Sequence, residues 1–214
     1  MECCETTGLK SYYRLHAGIY DATRWSFLFD RSRLIDLACR ALTATGRAHG
    51  ARAVEVGCGT GRNLAALARA LPTARLTGVD LCPPMLARAR KATAAAADRV
   101  ELACGAYGPD SLERDSQDLV VFSYALSMFN PGFEAAIEAA WLHLRPGGFV
   151  AVVDFYDSRH PWFRTWMGVN HVRLDGHLPP VLAARFGTVR REITPAYGGL
   201  WRYFCFLGRK GSTP

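Results

Sequence analysis

The sequence predicts an α/β domain, with a mostly parallel sheet and helices on both faces. Three observations carry that expectation. From Val54 to Asp154, short apolar runs alternate with segments of helical period. Such alternation calls for crossover connections between parallel strands. The first apolar run ends in a glycine-rich turn, Gly57-Cys58-Gly59-Thr60-Gly61, and the second ends in an acid, Asp80.

The elements follow in chain order. Residues 9–31 are aromatic and basic, and are expected to be helical in part. Leu34, Ile35, Ala38 and Leu42 then fall on one face of a helix over 32–44. A first strand over 52–57 leads to a helix with Leu64, Leu67 and Leu71 on one stripe. A second strand spans 75–80. The next helix starts near Pro83-Pro84, where proline is tolerated in a first turn. Strands at 99–104 and 118–123 precede a helix over 133–144 that buries Phe133, Ile137, Trp141 and Leu144. Gly147-Gly148 is expected to turn into a fifth strand, Phe149 to Asp154. Beyond Asp154 the alternation weakens into a segment rich in Trp, Phe and His, followed by strands at 188–194 and 201–208. One domain is expected, with an N-terminal cap (1–49), a core (50–154) and a C-terminal cap segment with a closing hairpin (155–214). There is no internal repeat.

Composition narrows the function classes. At 214 residues, half of them hydrophobic, the chain can bury a sizeable core. Its seven cysteines are scattered, without Cys-x-x-Cys or Cys/His zinc spacing, so no metal is expected. Scattered thiols suit a reducing cytoplasm. The opening Met1-Glu2-Cys3-Cys4-Glu5 is acidic and polar, so no signal peptide is expected. No apolar run approaches the ~20 residues of a membrane span. The net charge of +7 allows attraction to an anionic partner, and is equally a basic, arginine-rich composition with no partner attached. Without a long Lys/Arg run or an RNA-binding signature, nucleic acid is not expected.

The glycine turn and Asp80 carry the chemistry. Glycines at 57, 59 and 61 let the backbone turn sharply and admit a ligand against it. The amides that open the next helix then face that ligand. Asp80 lies 23 residues after Gly57, where an acid can accept both hydroxyls of an adenosine ribose. A dinucleotide fingerprint needs its third glycine three residues after the second. Here Gly59 and Gly61 are two apart, and Glu55 precedes Gly57 by two.

This E-x-G-x-G-x-G pattern resembles the class I, Rossmann-like methyltransferases, whose sheet is seven-stranded. The resemblance implies S-adenosylmethionine (SAM) as cofactor. It assigns Glu55 to the methionine amino group, and Gly57, Cys58, Gly59 and Gly61 to the methionine and ribose. Leu81 and Met85 would border the adenine. Many relatives end the third strand in Gly-Asp-Ala, but the matching residues here are Gly105-Ala106-Tyr107. Adenine recognition would then fall to backbone groups or to Tyr107. Ser123 and Tyr124 end the fourth strand, where relatives place methyl transfer. Leu144-Arg145-Pro146-Gly147-Gly148 is similar to the structural turn before the fifth strand.

The segment from Tyr13 to Arg31, with Ile19-Tyr20-Asp21 at its centre, resembles the start of the betaine-lipid N-methyltransferases. Those enzymes methylate the amino group of diacylglycerylhomoserine. The likeness continues through Gly57-Cys58-Gly59-Thr60-Gly61-Arg62-Asn63-Leu64 and Val153-Asp154-Phe155, and returns at Asn170-His171-Val172 and Gly198 to Tyr203. Asp30, where glycine is expected, and residues 172–186 depart from the pattern. The resemblance implies an amine acceptor, with Tyr20, Arg31 and Asn63 added to the cofactor site. The alternatives are a soluble small-molecule N- or O-methyltransferase and a non-catalytic SAM-binding subunit.

Each methylation leaves a cationic nitrogen, which an aromatic face stabilises by ~0.5–2 kcal/mol. Tyr12, Tyr13, Tyr20, Trp25, Tyr124, Trp201 and Tyr203 are candidates for that lining, and core packing explains any one of them equally well. Tyr20 leads among them. Arg24, Arg31 and Arg202 are candidates to hold an acceptor carboxylate, and each is equally a solvated surface arginine. His16, His160 and His171 are candidate proton acceptors, with His171 first. Tyr20, Tyr124 and His171 are therefore the catalytic candidates, and Arg24, Trp25, Trp201, Arg202 and Tyr203 the substrate-binding ones. Segments 9–31 and 155–173 are expected to cap the site, to meet an anionic inner membrane surface, or both.

Overall fold

The computed structural model describes residues 27–211. Their elements are α1 (Arg31–Ala44), β1 (Arg52–Val56), α2 (Arg62–Ala70), β2 (Arg75–Asp80), α3 (Pro83–Ala92), β3 (Val100–Cys104), β4 (Gln117–Ser123), α4 (Phe133–His143), β5 (Leu144–Asp157), α5 (Pro161–Val169), α6 (Leu178–Arg185), β6 (Gly187–Ala196) and β7 (Trp201–Arg209). The seven strands form one sheet in the order β3-β2-β1-β4-β5-β7-β6. Strands β1 to β5 pair in parallel, and β7 is antiparallel to both of its neighbours. This is a mostly parallel, Rossmann-like sheet whose direction of winding reverses between β1 and β4.

Alternation along the central strands fills two apolar layers. Leu119 and Val121 of β4, with Ala151 and Val153 of β5, pack under Leu34 and Leu42 of α1 and Leu64 and Leu67 of α2. Val120, Phe122, Val150 and Val152 face the other way, onto Ile137 and Ala140 of α4 and Leu182 of α6. A strand covered on both faces reads as a continuous apolar run, and every residue of β4 except Ser123 is buried.

Two expectations need correction. The fifth strand starts at Leu144, which pairs with Gln117, and not at Phe149. The expected turn is a bulge in that strand. Gly147 takes φ +79°, and a Cβ on Gly148 would lie 3.0 Å from the Arg145 carbonyl and 3.1 Å from that of Asp118. The segment after Asp157 also contains α5 and α6, for which no helical period is evident. Both are short and start with proline in the first turn. In α5, exposed Trp162 and Trp166 alternate with buried Phe163 and Met167, which blurs the period. Of the aromatic N-terminal segment, residues 27–30 form no helix before α1, and residues up to 26 lie outside the described range. No helix among the described residues is long and apolar enough to cross a membrane.

Candidate functional site

The site lies at the carboxyl ends of β1, β2 and β4, beside the reversal in strand order, where open α/β sheets bind ligands. Gly57 leaves β1 with φ +71°, and its amide donates to the Val79 carbonyl at 2.8 Å. A Cβ on Gly57 would meet that of Ala125 at 2.8 Å, and one on Gly61 (φ +77°) would meet Ala89 at 2.9 Å. Gly59, at φ +54°, faces open space: nothing lies within 4 Å of an added Cβ. Gly57 and Gly61 thus pack the turn against its neighbours, while Gly59 keeps a surface clear. Asp80 holds this turn from β2. Its carboxylate accepts from the Gly59 amide at 2.7 Å and the Cys82 amide at 2.9 Å.

Beneath the turn sits Glu55, 1% exposed. Its Oε1 accepts from Asn63 Nδ2 at 2.7 Å, and Asn63 Oδ1 accepts from Arg31 Nε at 3.2 Å. Its Oε2 is buried without a hydrogen-bond partner among the described residues. Burial dominates and pushes the Glu55 carboxyl up to about 7, against the pull of Arg31 and the Asn63 hydrogen bond. A buried carboxylate oxygen left without a partner is costly, and a cationic donor entering the cavity would satisfy it. Ser123 Oγ, at the end of β4, is also buried without a partner.

These groups border a cavity of about 450 Å³. Of the proposed cofactor residues, Arg31, Glu55, Gly57, Cys58, Gly59 and Asp80 line it. So do Leu81, Met85, Gly105, Ala106, Tyr107 and Ser123. Gly61 and Asn63 stand behind this lining, the first packed on Ala89 and the second bonded to Glu55. Tyr124 and His171 also line the cavity. Tyr124 adopts φ +55°, is 3% exposed and donates its hydroxyl to the Phe29 carbonyl at 3.1 Å. Burial holds its phenol well above the ordinary range, so this residue offers a ring and not a proton acceptor. His171 also takes a left-handed backbone (φ +61°) and stands at the exposed rim.

Other candidates lie elsewhere. The Tyr107 hydroxyl is 2.8 Å from His143 Nδ1, whose other ring nitrogen is 3.0 Å from the Pro109 carbonyl. That network occupies the hydroxyl. Trp201 and Tyr203 are buried in the layer with α1: Trp201 stacks on Phe163 at 5.4 Å and Tyr203 on Phe29 at 5.7 Å. Arg202 forms a two-point ion pair with Asp157 and covers the Tyr156 ring. None of the three lines the cavity. Tyr20, Arg24 and Trp25 lie outside the described residues. Sequence reasoning also missed a whole wall: Met128, Phe129, Asn130, Pro131 and Gly132, between β4 and α4. Asn130-Pro131-Gly132 is a strong turn signal just after the expected methyl-transfer position, and it was the available clue.

Residues 53–148 match the family described as "Methyltransferase domain". A malonyl-[acyl-carrier protein] O-methyltransferase of Priestia megaterium is 33% identical over 102 residues, which are 48% of this chain and 36% of that protein. A trans-aconitate 2-methyltransferase of Deinococcus radiodurans is 34% identical over 102 residues, 48% of this chain and 37% of that protein. The chain thus spans well under half the length of these relatives. Among solved structures, a putative sarcosine dimethylglycine methyltransferase from Galdieria sulphuraria superposes with TM-score 0.71 at 15% identity, covering 84% of this chain and 86% of that one. The N-methyltransferase NodS of Bradyrhizobium japonicum, in complex with S-adenosylhomocysteine, gives TM-score 0.66 at 20% identity, covering 85% and 87%. The chain has the class I, Rossmann-like methyltransferase fold, with a match to the methyltransferase domain across residues 53–148.

Proposed function

We propose that the protein is a SAM-dependent methyltransferase acting on an amine. The observation that carries this reading is buried Glu55, whose Oε2 has no hydrogen-bond partner among the described residues, under a glycine turn that Asp80 pins from the next strand. The chemistry of these donors fits SAM. Glu55 takes the methionine ammonium, Asp80 the ribose hydroxyls, and Leu81 and Met85 the adenine faces. When bound, SAM supplies a methyl group already activated on a sulfonium. The protein's own work is then orientation and exclusion of water. The Tyr124 ring faces a cationic product and favours it by cation–π attraction. His171, at the rim, takes the proton that the acceptor nitrogen loses and passes it to solvent.

The finer acceptor is the headgroup amine of a betaine-lipid precursor. Its support is the likeness of the flanking segments to that family, together with the apolar lining that Met128, Phe129 and Pro131 give the cavity. Arg24 and Arg31 are the candidates to hold a carboxylate on that headgroup; Arg31 also bonds Asn63, and Arg202 is ion-paired with Asp157. The second reading, a soluble small-molecule acceptor methylated on nitrogen or oxygen, draws on the relatives matched over the core, among them O-methyltransferases. Labelled SAM incubated with the protein and separate lipid and aqueous extracts distinguishes the two. Label in the lipid phase supports the aminolipid, and label in the aqueous phase alone refutes it. Calorimetry tests the cofactor: Asp80→Ala should weaken SAM binding by ~1–3 kcal/mol. Binding of NAD in place of SAM would refute the assignment.

A further inference from the structure

Outside the cavity, the described surface carries one aromatic face. Trp162, Trp166 and Val169 recur at helical spacing along α5 and are 63%, 49% and 75% exposed. Tyr197, 57% exposed, stands beside them. Between the two tryptophans and Tyr197 opens an apolar groove floored by Phe163 and Trp201, which are almost fully buried. Such a patch marks an interaction surface.

The charges around it indicate the partner. From Ser158 to Val172 the chain has two arginines and two histidines and no Asp or Glu. Arg159 and His160 lead directly into α5, and the His160 ring lies 6.4 Å from that of Trp162. Arg164 is exposed on the same helix. Exposed tryptophan and tyrosine bordered by cations match the headgroup zone of an anionic bilayer. A second copy of a chain with charge +7 would instead bring like charges together. The groove also adjoins the cavity. Phe27 lines the groove and the next residue, Leu28, lines the cavity, while His171 follows α5 by two residues and stands at the cavity rim.

We infer that the α5 face, through Trp162, Trp166, Val169 and Tyr197, docks this protein on an anionic lipid surface beside the mouth of the cavity. The docking extends the aminolipid reading but is measured without it. The test is sedimentation of the full chain with vesicles of phosphatidylcholine, with and without phosphatidylglycerol. Binding is expected to the anionic vesicles and to weaken with added salt. Arg159→Ala and Arg164→Ala should each reduce partitioning about fivefold at low salt. Trp162→Ser combined with Trp166→Ser should reduce it by more than about tenfold. Val169→Asp guards against misfolding of that pair, because Val169 is so exposed; it should also weaken binding while leaving the thermal transition in place. Failure of the parent protein to bind anionic vesicles at low salt overturns the inference, as does binding that neither the tryptophan pair nor Val169→Asp reduces. A protein that binds vesicles yet labels no lipid would uphold this surface and refute the aminolipid acceptor.

Discussion

Replacing Glu55 with glutamine isolates the most unusual electrostatic feature of the site. Glutamine keeps an oxygen to accept from Asn63 but cannot ionise. In the folded protein, burial raises the Glu55 carboxyl from 4.5 to about 7. Below pH 4.5 it is neutral in both folded and unfolded chains and favours neither. Between 4.5 and 7 the unfolded chain releases this proton while the folded chain retains it, so stability falls as pH rises. Above 7 the loss levels off. At about 1.4 kcal/mol per pH unit it amounts to roughly 3 kcal/mol. Glu55→Gln is spared it. For a chain of this size 1 kcal/mol corresponds to about 2–4 °C. The variant's Tm relative to the parent should therefore rise by roughly 6–12 °C from pH 4 to pH 8. Asp154, also buried and raised to about 6, titrates in the same window, but it does so in both proteins and cancels from the difference. Ligand binding has the opposite sign. A bound ammonium favours the ionised carboxylate, so the parent's affinity for S-adenosylhomocysteine should rise about tenfold per pH unit up to about 7 and then flatten. The variant should bind more weakly and without that slope. Differential scanning fluorimetry and calorimetry across this range read both quantities. A Tm difference that stays constant from pH 4 to pH 8 would refute the argument, because Glu55 would then titrate as an exposed glutamate does.

Three further outcomes follow from the packing. Gly57→Ala and Gly61→Ala meet backbone-anchored neighbours at 2.8 and 2.9 Å and should lower stability by ~2–4 kcal/mol; Gly59→Ala, in open space, should cost only ~1 kcal/mol of stability but markedly weaken SAM binding, and equal Tm losses at all three positions would contradict this division of labour. Tyr107→Phe leaves a His143 nitrogen without its partner and should destabilise by ~1–3 kcal/mol with SAM affinity intact; a selective loss of SAM affinity would return the hydroxyl to the adenine site. Arg202→Ala should leave the acceptor's KM within about twofold of the parent, because its partner is Asp157; a steady-state KM raised tenfold would put the guanidinium back on the substrate.

Much of the fold was legible because two-sided burial writes itself into sequence. A strand such as β4 must be apolar almost throughout, and its neighbouring helices must each carry one apolar stripe. The glycine turn was legible for a different reason. Positive φ and the close approach of Ala125 and Ala89 leave no room for a side chain at 57 and 61. Asp80 was legible by its place at the end of β2. The bulge at Gly147 and the short helices α5 and α6 were not. The first depends on carbonyls of β4 that pack against Gly148; α5 exposes tryptophans where a helical pattern calls for polar residues, and α6 is only eight residues long and opens on Leu178-Pro179-Pro180.

That Trp201, Arg202 and Tyr203 do not line the cavity has a geometric origin. These residues open β7, which runs antiparallel to β5, with Arg202 opposite Asp157. The start of β7 therefore lies at the same edge of the sheet as the ends of the parallel strands, which is the edge where ligands bind. Edge, however, is only one coordinate. The strand order puts β5 between β4 and β7. At about 4.8 Å per strand, β7 stands roughly 10 Å to the side of the end of β4. Hydrophobic periodicity fixes which face a residue occupies, and strand direction fixes which edge. Neither gives the lateral order of strands, which depends on how crossovers pack. Residues far apart in sequence but close to the β1/β4 reversal, such as Leu28, Met128 and His171, therefore share the cavity. Residues at the right edge but two strands away build the aromatic groove instead, with Trp201 as its floor.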